Sequence, residues 1–329
     1  MYKRKTGIDI LRGLSMLYIV GFWHLLEYTH AIHYQTPVTH RITWITLGIF
    51  FFISGYLIGH KKVSFTSIGL IGFYLKKLLR IYPLYLVALV WFTKLGISRP
   101  DISIKAAWGI SVFTGQAPPT LWFVAMIIVF YAIAPFLVYS CRKKNIYTYL
   151  FYDGLFMLAL YAYQRFTGLL ELRMLVYFSV FYLGIYAGVD ENIFTKKKTI
   201  FFLAVLSFLL SYFTHVNALA LKVLTVVPMI TICSLFVVMM IKDSKVTSNK
   251  ARTIIMGLSY ASYCMYLFHR PIYILANKFY FPVNQSLQVF YLVGICLPCV
   301  ILFSYGVQKT YDLAVGQPAI SLVSGLLKK

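Results

Sequence analysis

Acidic residues are scarce in this chain: 9 Asp and Glu stand against 31 Lys and Arg in 329 residues. Charge of either sign is scarce as well, at 12% of residues, while 60% are apolar and 18% aromatic. A soluble domain needs far more polar surface, so these proportions, with a mean hydropathy of +0.77, exclude one. Few acids also means few carboxylates with which to couple an ion gradient, and there is no convincing internal repeat or pair of matched broken helices, which counts against a transporter. Cysteine numbers only five: Cys141, Cys233, Cys264, Cys296 and Cys299. Cys296-Leu-Pro-Cys299 has redox spacing but no charged neighbours and no thioredoxin-like βαβ setting, so it reads as two small packing residues. No disulfide and no metal site are assigned.

What the chain has in abundance is long apolar runs. At about 20 residues per crossing, it holds about ten spanning helices, near 8–29, 42–60, 81–96, 119–140, 146–163, 174–190, 199–215, 220–241, 254–279 and 288–310. The expected fold is therefore all-α, a polytopic membrane protein with about ten transmembrane helices in one bundle. Two further apolar stretches, 68–75 and 106–114, are too short to cross and are expected to lie in the interface or to re-enter. No short apolar core with a small-residue cleavage site precedes Ile8, so the first run is expected to be a retained anchor.

A net charge of +22 raises the question of nucleic acid, but the distribution answers it. With the amino terminus inside, about two thirds of the Lys and Arg residues fall on the inner face, which predicts both termini in the cytoplasm and an even number of crossings. The partner of this charge is anionic membrane lipid. The expected organisation is a transmembrane domain over 1–311 and a cytoplasmic tail over 312–329, with no soluble catalytic domain appended. In the tail, Ala319, Ile320, Leu322, Val323, Leu326 and Leu327 recur at helical spacing before Lys328 and Lys329, the pattern of an inner-surface amphipathic helix. Gly55 with Gly59, and Gly184 with Gly188, give the small-xxx-small spacing of closely packed helices.

Ionisable groups inside spans are few, and each is costly enough to suggest a site. Arg12, His24, Glu27, Asp153 and His269 are the candidates. Along continuous helices His24 lies about 24 Å from Ile8 and His269 about 22 Å from Ile254, so two helices from opposite ends of the sequence bring imidazoles to one level. That fits a shared cavity, and equally a pair of interfacial residues. Glu27 follows His24 by three residues; it either holds a ring nitrogen's proton, raising the basicity of the other nitrogen, or sits at the outer interface. Asp153 is placed to pair with a cation or with polar backbone. Lys76, Lys77 and Arg80 cluster before Pro83, which marks a helix start, and suit either a phosphate-bearing cytoplasmic ligand or ordinary inner-face charge. His30, His33 and His40, irregularly spaced in an outer loop without acids or cysteines, read as incidental.

Five segments taken together resemble the membrane-bound acyltransferase 3 family over most of the chain. They are Ile8-Asp-Ile-Leu-Arg-Gly13 with His24; Gly48-Ile-Phe-Phe-Phe-Ile-Ser-Gly-Tyr-Leu-Ile58; the basic run to Arg80-Ile-Tyr-Pro83; Leu121-Trp-Phe123 with Tyr131 and Pro135; and Leu258-Ser-Tyr-Ala-Ser-Tyr-Cys-Met-Tyr-Leu-Phe-His-Arg-Pro271. The resemblance implies transfer of an acyl group, typically acetyl, to hydroxyls of sugars and other cell-surface molecules. It departs at two points. The family commonly sets ten residues between the basic residue and the histidine, whereas eleven separate Arg12 from His24. On one helix that turns the two about 120° apart, which directs Arg12 toward a phosphate or a neighbouring helix. Lys77 also stands where relatives often carry arginine, keeping the charge but losing the bidentate fork.

The expectation is an O-acyltransferase in a bacterial inner membrane. Acyl-CoA, acetyl-CoA foremost, is the donor co-substrate, and a glycan or lipid-linked sugar the acceptor. His24 serves as general base or as an acyl-carrying nucleophile, with Glu27 and His269 as its neighbours. Arg12, Lys76, Lys77 and Arg80 are assigned to CoA. The rival reading is a transporter or flippase lined by the same polar residues.

Overall fold

A computed structural model of the chain describes residues 5–29, 34–61, 63–214 and 219–326. Lys3, Arg4, Lys62, Leu327, Lys328 and Lys329 of the expected inner face, and His30, His33 and His215, lie outside them. The regular elements among the described residues are all helices, without a strand. Five helical stretches are long and apolar enough to cross a membrane: Thr6–Leu25, Pro37–Gly59, Trp122–Cys141, Leu219–Ile241 and Gln285–Val323. The chain is an integral multi-pass membrane protein.

In order, the helices are α1 (Thr6–Gly21), α2 (Pro37–Gly59), α3 (Ser67–Lys94), α4 (Pro100–Ala107), α5 (Trp122–Cys141), α6 (Ile146–Thr167), α7 (Arg173–Val189), α8 (Lys197–Phe213) and α9 (Leu219–Ile241). There follow α10 (Asn249–Phe279), α11 (Gln285–Phe290), α12 (Leu297–Tyr311) and α13 (Gln317–Leu326). The last three are joined by π-turns over Tyr291–Cys296 and Asp312–Gly316. Two compact units result. One holds the described residues of Met1–Thr43, Leu79–Ser98 and Ile241–Lys329, the other those of Trp44–Leu78 and Arg99–Met240.

The second unit is built on helices that touch through glycine. A Cβ on Gly55 would stand 2.1 Å from the Phe181 carbonyl oxygen and one on Gly184 2.2 Å from that of Phe52, so only hydrogen fits where α2 crosses α7. Gly59 and Gly188 repeat the arrangement one turn on, at 2.1 Å from Ile185 O and 2.3 Å from Tyr56 O. Aromatic side chains fill the rest: Phe51, Phe130, Tyr177, Phe178, Phe181 and Tyr182 are all fully buried.

The first unit packs α1 along α10 and α10 against α12. Trp91 of α3 lies against Phe268 and Phe303, with ring centroids 5.7 and 5.8 Å away. Asp9, buried in the first turn of α1, accepts a 2.7 Å hydrogen bond from Ser259 Oγ of α10. Close by, a Cβ on Gly13 would meet Leu258 Cβ at 3.3 Å, which marks the approach of the two helices.

Several expected boundaries move. The first run does not continue as one helix to 29: α1 stops at Gly21, Phe22 leaves the helical region at φ −131°, ψ −64°, and Trp23–Glu27 form a 3₁₀ turn. Gly21 is where α12 comes closest, since a Cβ there would lie 2.7 Å from Leu297 Cδ2. The stretch 68–75 is no separate interfacial segment but the first part of α3, 28 residues long, with Pro83 inside rather than at its start. The stretch 106–114 ends the eight-residue α4 and passes into a 3₁₀ turn at Ser111–Phe113. The tail after 311 runs on from α12 into α13.

Candidate active site

The 3₁₀ turn that ends α1 carries His24 to α10. There His269 is completely buried, two residues before a proline set inside a 31-residue helix. The rings lie parallel to within 1°, with centroids 4.8 Å apart, and His24 Nδ1 is 2.8 Å from His269 Nε2. His269 Nδ1 stands 3.0 Å from the carbonyl oxygens of both Met265 and Tyr266.

These contacts leave the neutral pair one arrangement of protons. A carbonyl oxygen only accepts, so His269 Nδ1 bears the hydrogen and its Nε2 bears the lone pair. His24 must then donate from Nδ1, which leaves the lone pair of His24 on Nε2. The dyad therefore presents one unprotonated imidazole nitrogen, on the half-buried ring, and the fully buried ring fixes its orientation.

Among the described residues Glu27 makes no hydrogen bond to His24. Its carboxylate pairs with Arg270 Nη2, which ties the end of the 3₁₀ turn to α10 beside His269. The side chain of Arg270 is 15% exposed and that of Glu27 39%, so the pair sits at a rim. Arg270 Nε and Tyr28 Oη are buried and make no hydrogen bond among the described residues. The ring of Tyr28 lies 4.9 Å from that of Tyr273, whose hydroxyl donates to the Val20 carbonyl at 3.4 Å.

Arg12 is half-buried on α1, about 14 Å along the axis from Gly21. The angular argument relating it to His24 lapses once α1 stops at Gly21, and His24 bonds to His269. Among the described residues Asp153 pairs with neither a cation nor backbone: its Oδ2 accepts from Ser179 Oγ at 3.0 Å, joining α6 to α7, while Oδ1 is buried without a hydrogen bond.

Lys76, Lys77 and Arg80 all lie on α3, the last two one turn apart. Lys77 Nζ stands 4.3 Å over the ring of Tyr131, which gives that tyrosine a cation–π role. Arg80 is exposed. In the Leu121-Trp-Phe123 segment, Trp122 lies 4.1 Å under the guanidinium of Arg173, itself held by Glu171 through hydrogen bonds of 2.7 and 2.9 Å. Asp9 is a further buried polar residue, signalled in the sequence by its place in the first turn of α1 and in the Ile8-Asp-Ile-Leu-Arg-Gly13 segment. His40 packs edge-on to Trp23 at 5.0 Å. All five cysteines are free thiols.

An all-helical membrane protein with a paired-imidazole centre is the class of protein these features define. The chain matches the acyltransferase domain of the acyltransferase 3 type over residues 5–306 and belongs to that family; it is a membrane acyltransferase. No curated protein and no solved structure matches it.

Proposed function

We propose that the protein transfers an acyl group, acetyl foremost, from acyl-CoA to a hydroxyl of a cell-surface glycan or lipid-linked saccharide. The single observation that carries this reading is the hydrogen bond from His24 to His269, because it leaves His24 Nε2 as the base. In the reaction Nε2 takes the proton of the acceptor hydroxyl as its oxygen attacks the thioester carbonyl. The tetrahedral adduct then expels the CoA thiolate, which receives the same proton back. Positive charge on His24 is transient. His269 Nε2, held by the anchoring of its Nδ1 to two carbonyls, accepts from His24 Nδ1–H and stabilises the imidazolium without a proton moving further.

Glu27 acts on this dyad through Arg270, as a positioning residue. Arg270 Nε and Tyr28 Oη would bind the acceptor's oxygens beside His24. Lys76, Lys77 and Arg80, with Arg12, hold the phosphates of CoA on the inner side, where multiple cations suit a polyanion. The same reading takes the chain as about ten spans in a bacterial inner membrane, with both termini cytoplasmic as the lysine and arginine distribution supports.

The test is purified protein in detergent, given acetyl-labelled acetyl-CoA and a saccharide acceptor. Labelled ester formation supports the reading. Movement of saccharide across liposomes with no dependence on CoA would support the transporter instead. With Lys77→Ala plus Arg80→Ala, KM for acetyl-CoA should rise about tenfold or more; an unchanged value removes the cluster from the CoA site.

A further inference from the structure

A proline inside a helix has no N–H, so the carbonyl four residues earlier loses its hydrogen-bond donor. In α3 the proline is Pro83, and the carbonyl that loses its donor belongs to Leu79. That oxygen is taken by the hydroxyl of Tyr311, the last residue of α12. Two residues on, the Ile81 carbonyl accepts from the hydroxyl of Tyr263 on α10 at 2.7 Å. The residue between these two carbonyls is Arg80.

Tyr311 is itself held in place. It immediately precedes the π-turn, and the first residue of that turn, Asp312, has both carboxylate oxygens engaged: Oδ2 by Tyr260 Oη at 2.6 Å and Oδ1 by Gln308 Nε2 at 3.1 Å. Gly316 closes the turn tightly, since a Cβ there would lie 3.1 Å from Asp312 Oδ1 and 3.3 Å from the Tyr311 ring. A π-turn inserted into a continuous helix resets the direction of the residues beside it. Here it lies next to a tyrosine that supplies a donor to the Leu79 carbonyl, which Pro83 leaves without its helical partner. Tyr311 lies beyond residues 5–306, the extent of the family match.

We propose that Tyr311, with Tyr263, is a positioning residue for Arg80: the two hydroxyls pin the backbone on either side of it and fix the direction in which its guanidinium meets the donor's phosphates. This rests on the assignment of Arg80 to CoA above. Without the Tyr311 hydroxyl the Leu79 carbonyl loses this donor and the backbone beside Pro83 loosens, so Arg80 spends less time aligned. The effect falls on donor binding rather than on the chemical step at His24.

The experiment measures the Kd of coenzyme A itself for detergent-solubilised protein, together with KM and kcat for acetyl-CoA, in wild type, Tyr311→Phe, Pro83→Ala, the double variant and Arg80→Ala. Tyr311→Phe should raise Kd and KM about fivefold, the scale of one lost hydrogen bond, with kcat within about twofold. In Pro83→Ala the restored N–H satisfies Leu79, so adding Tyr311→Phe should change Kd by less than about 1.5-fold. A Tyr311→Phe protein with wild-type Kd, or a loss that persists undiminished in the Pro83→Ala background, overturns the proposal. If Arg80→Ala leaves Kd unchanged, it is the assignment of Arg80 to CoA that fails. If Arg80→Ala weakens binding and Tyr311→Phe does not, only the positioning role fails.

Discussion

His24 Nδ1 stands 2.8 Å from His269 Nε2, and that contact joins the broken end of α1 to the middle of α10. The buried ring is locked by two backbone carbonyls, so the proton order runs outward from Met265 and Tyr266 to a lone pair on His24 Nε2. A histidine without such a partner would exchange tautomers freely and present the wrong nitrogen part of the time.

Replacing His269 should therefore slow catalysis through lost orientation of His24 and lost stabilisation of its imidazolium. His269→Ala is expected to lower kcat by about tenfold to a hundredfold, less than the loss from His24→Ala, and the double variant should be no slower than His24→Ala alone, because the two rings act as one unit. Steady-state kinetics on the three proteins checks this. Additive losses would mean that His269 acts independently of His24.

The Glu27–Arg270 pair gives a separate handle on the same turn. Arg270 is mostly buried, so losing the carboxylate costs more than breaking a surface pair, about 1–3 kcal/mol, and Glu27→Gln should lower the thermal midpoint. It should cut kcat by roughly three- to tenfold, since the turn that carries His24 loses its tie to α10. Exchanging the charges, Glu27→Arg with Arg270→Glu, should recover most of the rate. Glu27 acting directly on His24 would give no recovery.

The fold of the second unit depends on hydrogen at Gly184, where a Cβ would meet Phe52 O at 2.2 Å. Gly184→Ala should destabilise by about 1–3 kcal/mol or more as the backbones separate. Gly257 lies in α10 with nothing within 4 Å of a Cβ, so Gly257→Ala should stabilise by about 0.5–1 kcal/mol. Thermal unfolding in one detergent compares them directly, and equal midpoints would refute the close approach.

At the other end of α1, Asp9→Ala should cost about 1–3 kcal/mol by stranding Ser259 Oγ. Asp9→Asn, which keeps an acceptor oxygen, should cost clearly less. Unfolding midpoints for the pair test whether this contact locks α1 to α10.

Much of this was legible from periodicity. The apolar runs fix where the long helices lie, and the glycine pairs at 55/59 and 184/188 marked two closely packing helices, though not that α2 and α7 pack on each other. Counting residues also brought His24 and His269 to one level. What the count missed was the end of α1 at Gly21, because nothing local to Gly21-Phe-Trp shows that Leu297, far along the chain, packs there. With the helix broken, the angular relation of Arg12 to His24 lost its basis, and Glu27 found Arg270. Partner choice by polar side chains is a tertiary matter, and the same holds for Asp9 with Ser259 and Asp153 with Ser179. Pro83 was read as a helix start, since a proline's missing N–H is harmless there. Inside α3 it is tolerated because Tyr311, more than two hundred residues away, supplies a donor.

The most direct test of the account is the rate of acyl transfer from acetyl-CoA by purified His24→Ala protein whose thermal midpoint matches wild type. Loss of the base predicts a fall in kcat of about 10²- to 10⁴-fold with little change in KM for acetyl-CoA. A well-folded His24→Ala protein that transfers at the wild-type rate would contradict it.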